Sequence, residues 1–371
     1  MLSHHGHGSR PGIYAHAAAA TLPVAPELRT ELARLRACGL AQVRNSDSPL
    51  TVPEAARIIE LFRSVYGDTY PLSELSSPER LVEKTRAGHW HSFIIFDSPE
   101  SMLPIAHAGL AALAPGEFEL GKLVVSPADQ GKGLSRLATA QRLEFLEGLA
   151  AQGLVSVVTS EALTSHTRSQ RNLDRVGFLP NGFLFDVYND YFSRGSRETV
   201  LSTALVVGPA VRGHRKLYIP ERLAPLIRTV AAIHGAERSV SQDGLPQQGL
   251  EHAGELSVDL SDRDTFGGAY VSVKGWVSQD ELRGACIANP DLEGALFVSV
   301  TVDVSHPAAC RQLEFLSESG FVFGCHLLGH SVDSVVMQRA QPSLATSVRG
   351  VQLHSPVSRE LLAMIRLVEG F

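Results

Sequence analysis

The chain has 371 residues, 44% of them apolar, which is too long for one ordinary core and enough for about two domains. Its 33 basic and 39 acidic residues give a formal charge of −6, which argues against nucleic acid as the main partner, because phosphate binding needs a basic surplus. No run of 18 apolar residues suggests a membrane span, the start has no leader pattern, and the four cysteines lack CxxC spacing, as in reduced thiols of a cytoplasmic protein.

Residues 1–25 read as a flexible tail, and the histidines in "MLSHHGHGSRPG" read as disordered rather than metal-binding. "PELRTELARLRACG" predicts a short helix ended by Gly39. "TVPEAARIIELFRSVYGD" is amphipathic, with Pro53 at its start and Ile58, Ile59, Phe62 and Val65 on one face. "PLSELSSPERLVEKTRAG" is polar and partly helical. "HSFIIFD" and "LPIAHAGLAAL" predict paired strands, and "EFELGKLVV" a third. In "LSRLATAQRLEFLEGLAAQG", residues Leu134, Leu137, Ala138, Phe145, Leu146 and Leu149 form a helical stripe. "LVSVVTSEA" reads as a strand covered on both faces, "SHTRSQRNLDRVGF" as a short helix closed by Gly177, and "FLFDVYNDYF" as a further strand.

From about residue 210 the pattern restarts. "LAPLIRTVAAIHG" is an amphipathic helix, and "EHAGELSVDLSD" and "GAYVSVKGW" are strands. "GALFVSVTVDV", "PAACRQLEFLSESGF" and "DSVVMQR" then read as strand, helix, strand. Both halves carry a strand, a loop with a histidine (His166, His306), a helix and a Gly-Phe pair (Gly177-Phe178, Gly320-Phe321), which an internal duplication explains most simply. The expected class is α/β, an α+β mixed sheet, in two domains. The expected boundaries are a tail at 1–25, a first domain at 26–208, a second at 209–341 and an extension with a helix at 342–371. Leu361, Leu362, Ile365 and Leu367 of that helix could pack on either domain or on the second subunit of a homodimer.

The chemistry concentrates in "VVSPADQGKGLSRL", residues 124–137. Pro127 ends a strand, since it has no N–H for a ladder. Gly131 and Gly133 allow a tight bend and the close approach of an anion. The following helix begins with amides that lack an intrahelical partner, at the positive end of its dipole. Lys132 and Arg136 add charge at the rim. The spacing matches neither the P-loop nor the dinucleotide loop, so from the residues alone a phosphate cradle and a plain strand–helix turn both stand.

"ELGKLVVSPADQGKGLSRL" resembles motif A of the GNAT superfamily of N-acetyltransferases, in which a strand ending V-x-P precedes R/Q-G-x-G-[IL]-[GAS]; here Gln130, Gly131, Lys132, Gly133, Leu134 and Ser135 fill that loop. The Gly-Phe in "RNLDRVGFLPNG" resembles the late GNAT motif L-Y-x-x-x-GF, and the resemblance covers residues 45–195. It implies an acyl-CoA co-substrate bound at a splay between two parallel strands, with no metal. Leu123, Val124 and Val125 would pair with the pantetheine arm, and amides from Gln130 to Ser135 would hold the pyrophosphate. An amine would then attack the acetyl or longer acyl thioester directly.

Direct attack needs a base and support for the developing negative charge. Glu119, on the strand entering the loop, is the candidate base, and His107 on the preceding strand could share that role. The family's late tyrosine, which protonates the leaving thiolate, corresponds to Leu173 here. His166, Ser169 and Gln170 lie on or before the same helix and could face the cofactor sulfur. The second half has no matching loop, so it would not hold pyrophosphate, and Cys325, His326 and His330 lack further ligands for a metal. The expected function is an acyl-CoA-dependent N-acyltransferase acting on an amine of a small metabolite, natural product or peptide. The alternative is a non-catalytic acyl-CoA sensor on the same fold.

Overall fold

The computed structural model describes residues 22, 24–67, 75–101, 103–188, 197–243, 254–261, 267–340, 348 and 350–371. The histidines of the N-terminal tail and the "DTYPLSE" stretch before Leu75 lie outside them. Helix α1 (Pro26–Ala37) leads to a short strand, β1 (Ala41–Arg44). Helix α2 (Val52–Tyr66) starts at a capping box in which Thr51 and Glu54 satisfy each other's amides, and α3 (Pro78–Arg86) is capped by Ser77. Strands β2 (Trp90–Ile95), β3 (Ala106–Ala114) and β4 (Gly116–Val125) form an antiparallel meander. Helix α4 (Leu134–Ala151), β5 (Val155–Leu163), α5 (Arg168–Arg175), β6 (Leu179–Tyr188) and β7 (Glu198–Val206) complete the first half.

The second half runs through α6 (Pro209–Arg212), β8 (Arg215–Tyr218), α7 (Ala224–Ile233), β9 (Arg238–Ser241), β10 (Glu255–Asp259) and β11 (Gly268–Lys274). It continues with α8 (Gln279–Cys286), β12 (Phe297–Asp303), α9 (Ala308–Glu318), β13 (Val322–Leu327), β14 (Ser334–Ala340) and α10 (Pro356–Glu369).

Among the described residues, twelve strands form one mixed sheet in the order β1-β2-β3-β4-β5-β7-β6-β13-β14-β12-β11-β10. Its two wings have the same internal logic. In the first, β4 is parallel to β5, and antiparallel β7 and β6 follow. In the second, β11 is parallel to β12, and antiparallel β14 and β13 follow. The wings meet antiparallel at β6 and β13, where Cys325 lies opposite Gly182. Gly182 has φ 153°, and a Cβ there would stand 2.2 Å from the Gly324 carbonyl oxygen, so only glycine allows the junction.

Several elements depart from the sequence expectation. Strands β1, β7, β8, β9 and β13 and helix α8 were not expected. β7 is buried along its whole length between β5 and β6, and β13 carries the junction between the wings. Leu22 and Val24 fall in the span expected to be flexible, yet both are buried against the core under α1 and α4. The terminal helix α10 buries Leu361 and Ile365 in the second half's core and leaves Leu367 83% exposed.

Candidate functional site

β4 and β5 pair in parallel only from Gly116 opposite Val155 to Glu119 opposite Thr159. At the next position Ser160 Oγ donates to the Leu120 carbonyl (2.6 Å), and beyond it the strands part. A bulge in β4 accompanies the parting. His107 faces Val124 and Gly109 faces Gly121, so β4 uses one residue more than β3, and Lys122 takes φ 52°. The opening is the mouth of a cleft of about 1020 Å³, lined by β4 from Glu119 to Val125, by the loop and first turn of α4, and by α5, β5 and Tyr188 of β6.

The glycine loop forms one end of this cleft. Gly131 and Gly133 have φ 84° and 81°, and a Cβ at either would meet nothing within 4 Å, so backbone conformation rather than space demands glycine. Gly133 caps α4 without a side chain, and none of the described residues accepts from the amides of Gly131, Gly133, Leu134 and Ser135. Those donors sit at the positive end of an 18-residue helix and border the cleft. Arg136 of α4 and Arg168, Arg171 and Arg175 of α5 line the same helical wall. Lys132 pairs at 2.6 Å with Asp129, which borders the cleft. In the second wing, α8 follows the strand in the corresponding place. Its start is closed by the Ser278–Glu281 capping box, with Asp280 and Glu281 in its first turn, an arrangement that repels an anion.

The strand wall carries the acid–base groups. Glu119 lines the cleft and pairs with Lys122, three residues on across the bulge. Glu161 opens on the cleft from β5, two residues beyond the last paired position. Desolvation by the walls and then the charge of Glu119 push its carboxyl above the usual range, although the Tyr188 hydroxyl donates to it at 2.5 Å. Tyr188 itself is pushed well up, by burial and then by the charges of Glu161 and Glu119, so its hydroxyl stays protonated. His166, Ser169 and Leu173 also line the cleft.

Two sequence candidates fall elsewhere. His107 is fully buried, packed edge-on against Phe62 and stacked on Trp90, and does not border the cleft. Trp90 Nε1 donates to Ser92 Oγ, His107 Nε2 lies 3.2 Å from that oxygen, and His107 Nδ1 reaches the Lys122 carbonyl at 3.3 Å, which makes Nδ1 the donor. Burial lowers its pKa to about 3, so it cannot take up a proton near neutral pH. Gln170 is also buried. Its amide nitrogen donates to the carbonyls of Leu163, His166 and Gln352, and its oxygen accepts from the His354 amide, so it anchors the C-terminal segment rather than facing a cofactor. Glu161 and Tyr188 were missed. In β5 the buried Ser160 and Ala162 flank the outward Glu161, and a carboxylate on the open face at the carboxyl end of a parallel strand is a signal the sequence did carry. Of the Cys325, His326 and His330 group, His326 binds Asp333 (2.9 Å), His330 Nδ1 meets Ser156 Oγ (2.7 Å), and burial pushes the Cys325 thiol up to about 12.

No family model matches the chain, and no curated protein matches it by sequence. The solved structures it matches include several described as acetyltransferases. The ribosomal-protein-S5-alanine acetyltransferase of Vibrio fischeri aligns at 19% identity and TM-score 0.35, covering 45% of this chain and 92% of its own. The ribosomal-protein-S18-alanine N-acetyltransferase of Escherichia coli aligns at 15% identity and TM-score 0.35, covering 46% and 95%. An acetyltransferase of Desulfovibrio desulfuricans assigned to the GNAT family aligns at 17% identity and TM-score 0.34, covering 45% and 99%.

Proposed function

We propose that this chain is an acyl-CoA-dependent N-acyltransferase, moving an acetyl or longer acyl group to an amine of a small metabolite, natural product or peptide by direct attack. The observation that carries the reading is one continuous cleft running from unsatisfied helix amides to two parting parallel strands. The first end suits a pyrophosphate, and the edge of β4 from Leu123 to Val125 suits an extended amide-bearing arm. Arg136 and the arginines of α5 suit the remaining phosphate charge. At the parting, Glu161 would accept the amine proton, because its raised pKa brings its basicity nearer to the operating pH. Glu119, with Lys122 as counter-ion, would orient the acceptor. The unit at 26–208 would carry this centre. The unit at 209–341, whose α8 start is closed by its own side chains, would be a degenerate copy bracing the first, with 342–371 as a tie between them.

Acetyl-CoA binding by calorimetry, followed by thiol release and product mass spectra over a panel of amines, tests this reading. The expected outcome is saturable binding with one thiol released per acylated amine. Binding without turnover of any amine would favour an acyl-CoA sensor, a reading to which the buried Leu173 at the tyrosine position lends weight. No binding would end both.

A further inference from the structure

Arg142 lies on the face of α4 that meets the sheet and is 1% exposed. Its Nη1 donates to the carbonyls of Gly109 (3.2 Å) and Gly121 (3.0 Å), and its Nη2 to Thr139 Oγ1 (3.1 Å). Among the described residues, its buried Nε finds no acceptor and no carboxylate pairs with it. Burial lowers its pKa to about 9, which still leaves it charged at neutral pH. A guanidinium buried without a counter-ion carries a heavy desolvation penalty, and an aliphatic side chain would fill a helix core position without it. The position is not arbitrary. Arg142 borders the cleft beside Leu120, Gly121 and Ser160, where β4 and β5 part.

The elements packed on α4 leave this charge uncompensated. His91 on β2 and His107 on β3 are held neutral by burial, and Glu119 on β4 is paired with Lys122. Glu161 on β5 is itself pushed toward its neutral form, and Asp174 on α5 interacts with His354. We infer that Arg142 is a buried cation that stabilises the negative charge developing on a thioester at the parting of β4 and β5. The inference rests on the acyltransferase reading. In that reaction the amine nitrogen bonds to the acyl carbon, the carbon–sulfur bond breaks, the sulfur leaves with the electron pair, and the amine proton passes to Glu161. Arg142 forms no bond in this step. It acts by its field and by holding the Gly121 carbonyl, which makes it a positioning residue.

The thiol of CoA is a probe that reads this field without turnover. Its ionisation in the bound state, followed by thiolate absorbance against pH, is compared in the wild-type chain, R142K and R142M. Desulfo-CoA, with hydrogen in place of the thiol, serves as the binding control. The bound thiol is expected to ionise at least one unit below free CoA in the wild type. R142K should keep most of that shift, and R142M should lose about one unit, a tenfold loss of thiolate preference. Desulfo-CoA affinity should change by less than about twofold, because the control lacks the group the field acts on. A wild-type bound thiol that titrates no lower than free CoA overturns the inference, whether or not R142M folds. So does an R142M chain that binds desulfo-CoA normally and whose bound thiol ionises as low as it does in the wild type. If neither CoA nor desulfo-CoA binds the wild type, the acyltransferase reading falls and takes this inference with it.

Discussion

Different partners at the mouth of the cleft separate two glutamates that look alike in sequence. Glu119 has a lysine partner, Glu161 has a tyrosine hydroxyl and a like charge nearby, and Tyr188 stays protonated between them. A general base must be deprotonated to act, so a raised pKa means activity is gained only as pH climbs through that raised value. kcat/KM is therefore expected to fall on the acid side around a pKa above the ordinary glutamate value of about 4.3. Glu161→Gln should abolish that limb and lower kcat by roughly 10²–10⁴-fold, the usual worth of a positioned base. Glu119→Gln should raise KM for the acceptor and keep the limb. A Glu161→Gln variant with an intact acid limb would assign the base elsewhere. His107 illustrates what a sequence conceals at this scale. Its strand and register were readable, but its neutrality depends on Phe62 and Trp90, brought to it by α2 and β2. Arg142 was hidden in the same way, because an arginine between apolar helix positions reads as the solvent face until the packing is known.

The elements that sequence exposed are those whose signals are local. The loop at residues 126–133 was legible because a proline, two glycines and a helix start lie within a few residues, and each has its own backbone reason. β7 and β13 were not legible as elements. β7 follows a stretch of polar residues and pairs with strands that precede it by tens of residues, and β13 is recognisable only by the two strands it joins. Gly133 needs a left-handed backbone and no extra room, so Gly133→Ala should cost about 1–2 kcal/mol of stability through backbone strain alone. Gly133→Asn, whose side chain tolerates that region, should recover much of the loss. Urea unfolding of the two variants measures this, and CoA titration should follow the same order, since the strain tilts the amides that would meet the pyrophosphate. Equal stability of wild type and Gly133→Ala would mean that the loop relaxes to another conformation.

At the scale of the whole molecule, the two wings are tied by buried polar groups as well as by β6 and β13. Gln338 exchanges hydrogen bonds with the backbone of Phe185 (2.8 and 2.6 Å), and Glu117 accepts from the His330 amide (2.6 Å). The C-terminal segment reaches back to Thr164 through the Gln352 amide at 2.7 Å. A further buried cluster holds the second half together: Asp333 is fully buried against Arg215 (2.8 Å), Arg238 (2.6 Å) and His326 (2.9 Å). Its existence follows from no local pattern, since the arginines precede it by about a hundred residues. Burial alone would raise the pKa of Asp333, but the hydrogen bonds and charges of His326 and Arg238 outweigh it and hold the group at about 2. A folded pKa below the unfolded value of about 3.9 means that the ionised aspartate stabilises the fold in full above that value, and that the contribution fades as pH falls toward 2. Asp333→Asn leaves Arg238, whose side chain is fully buried, without its carboxylate, and should cost about 3–5 kcal/mol near neutral pH. The difference between wild type and variant, read from urea unfolding at a series of pH values, should hold constant above about pH 5 and shrink steadily between about pH 4 and 2. A difference that stays level down to pH 2 would mean that the aspartate has the same pKa in the folded and unfolded chain, and that the arginines are held by the surrounding carbonyls instead.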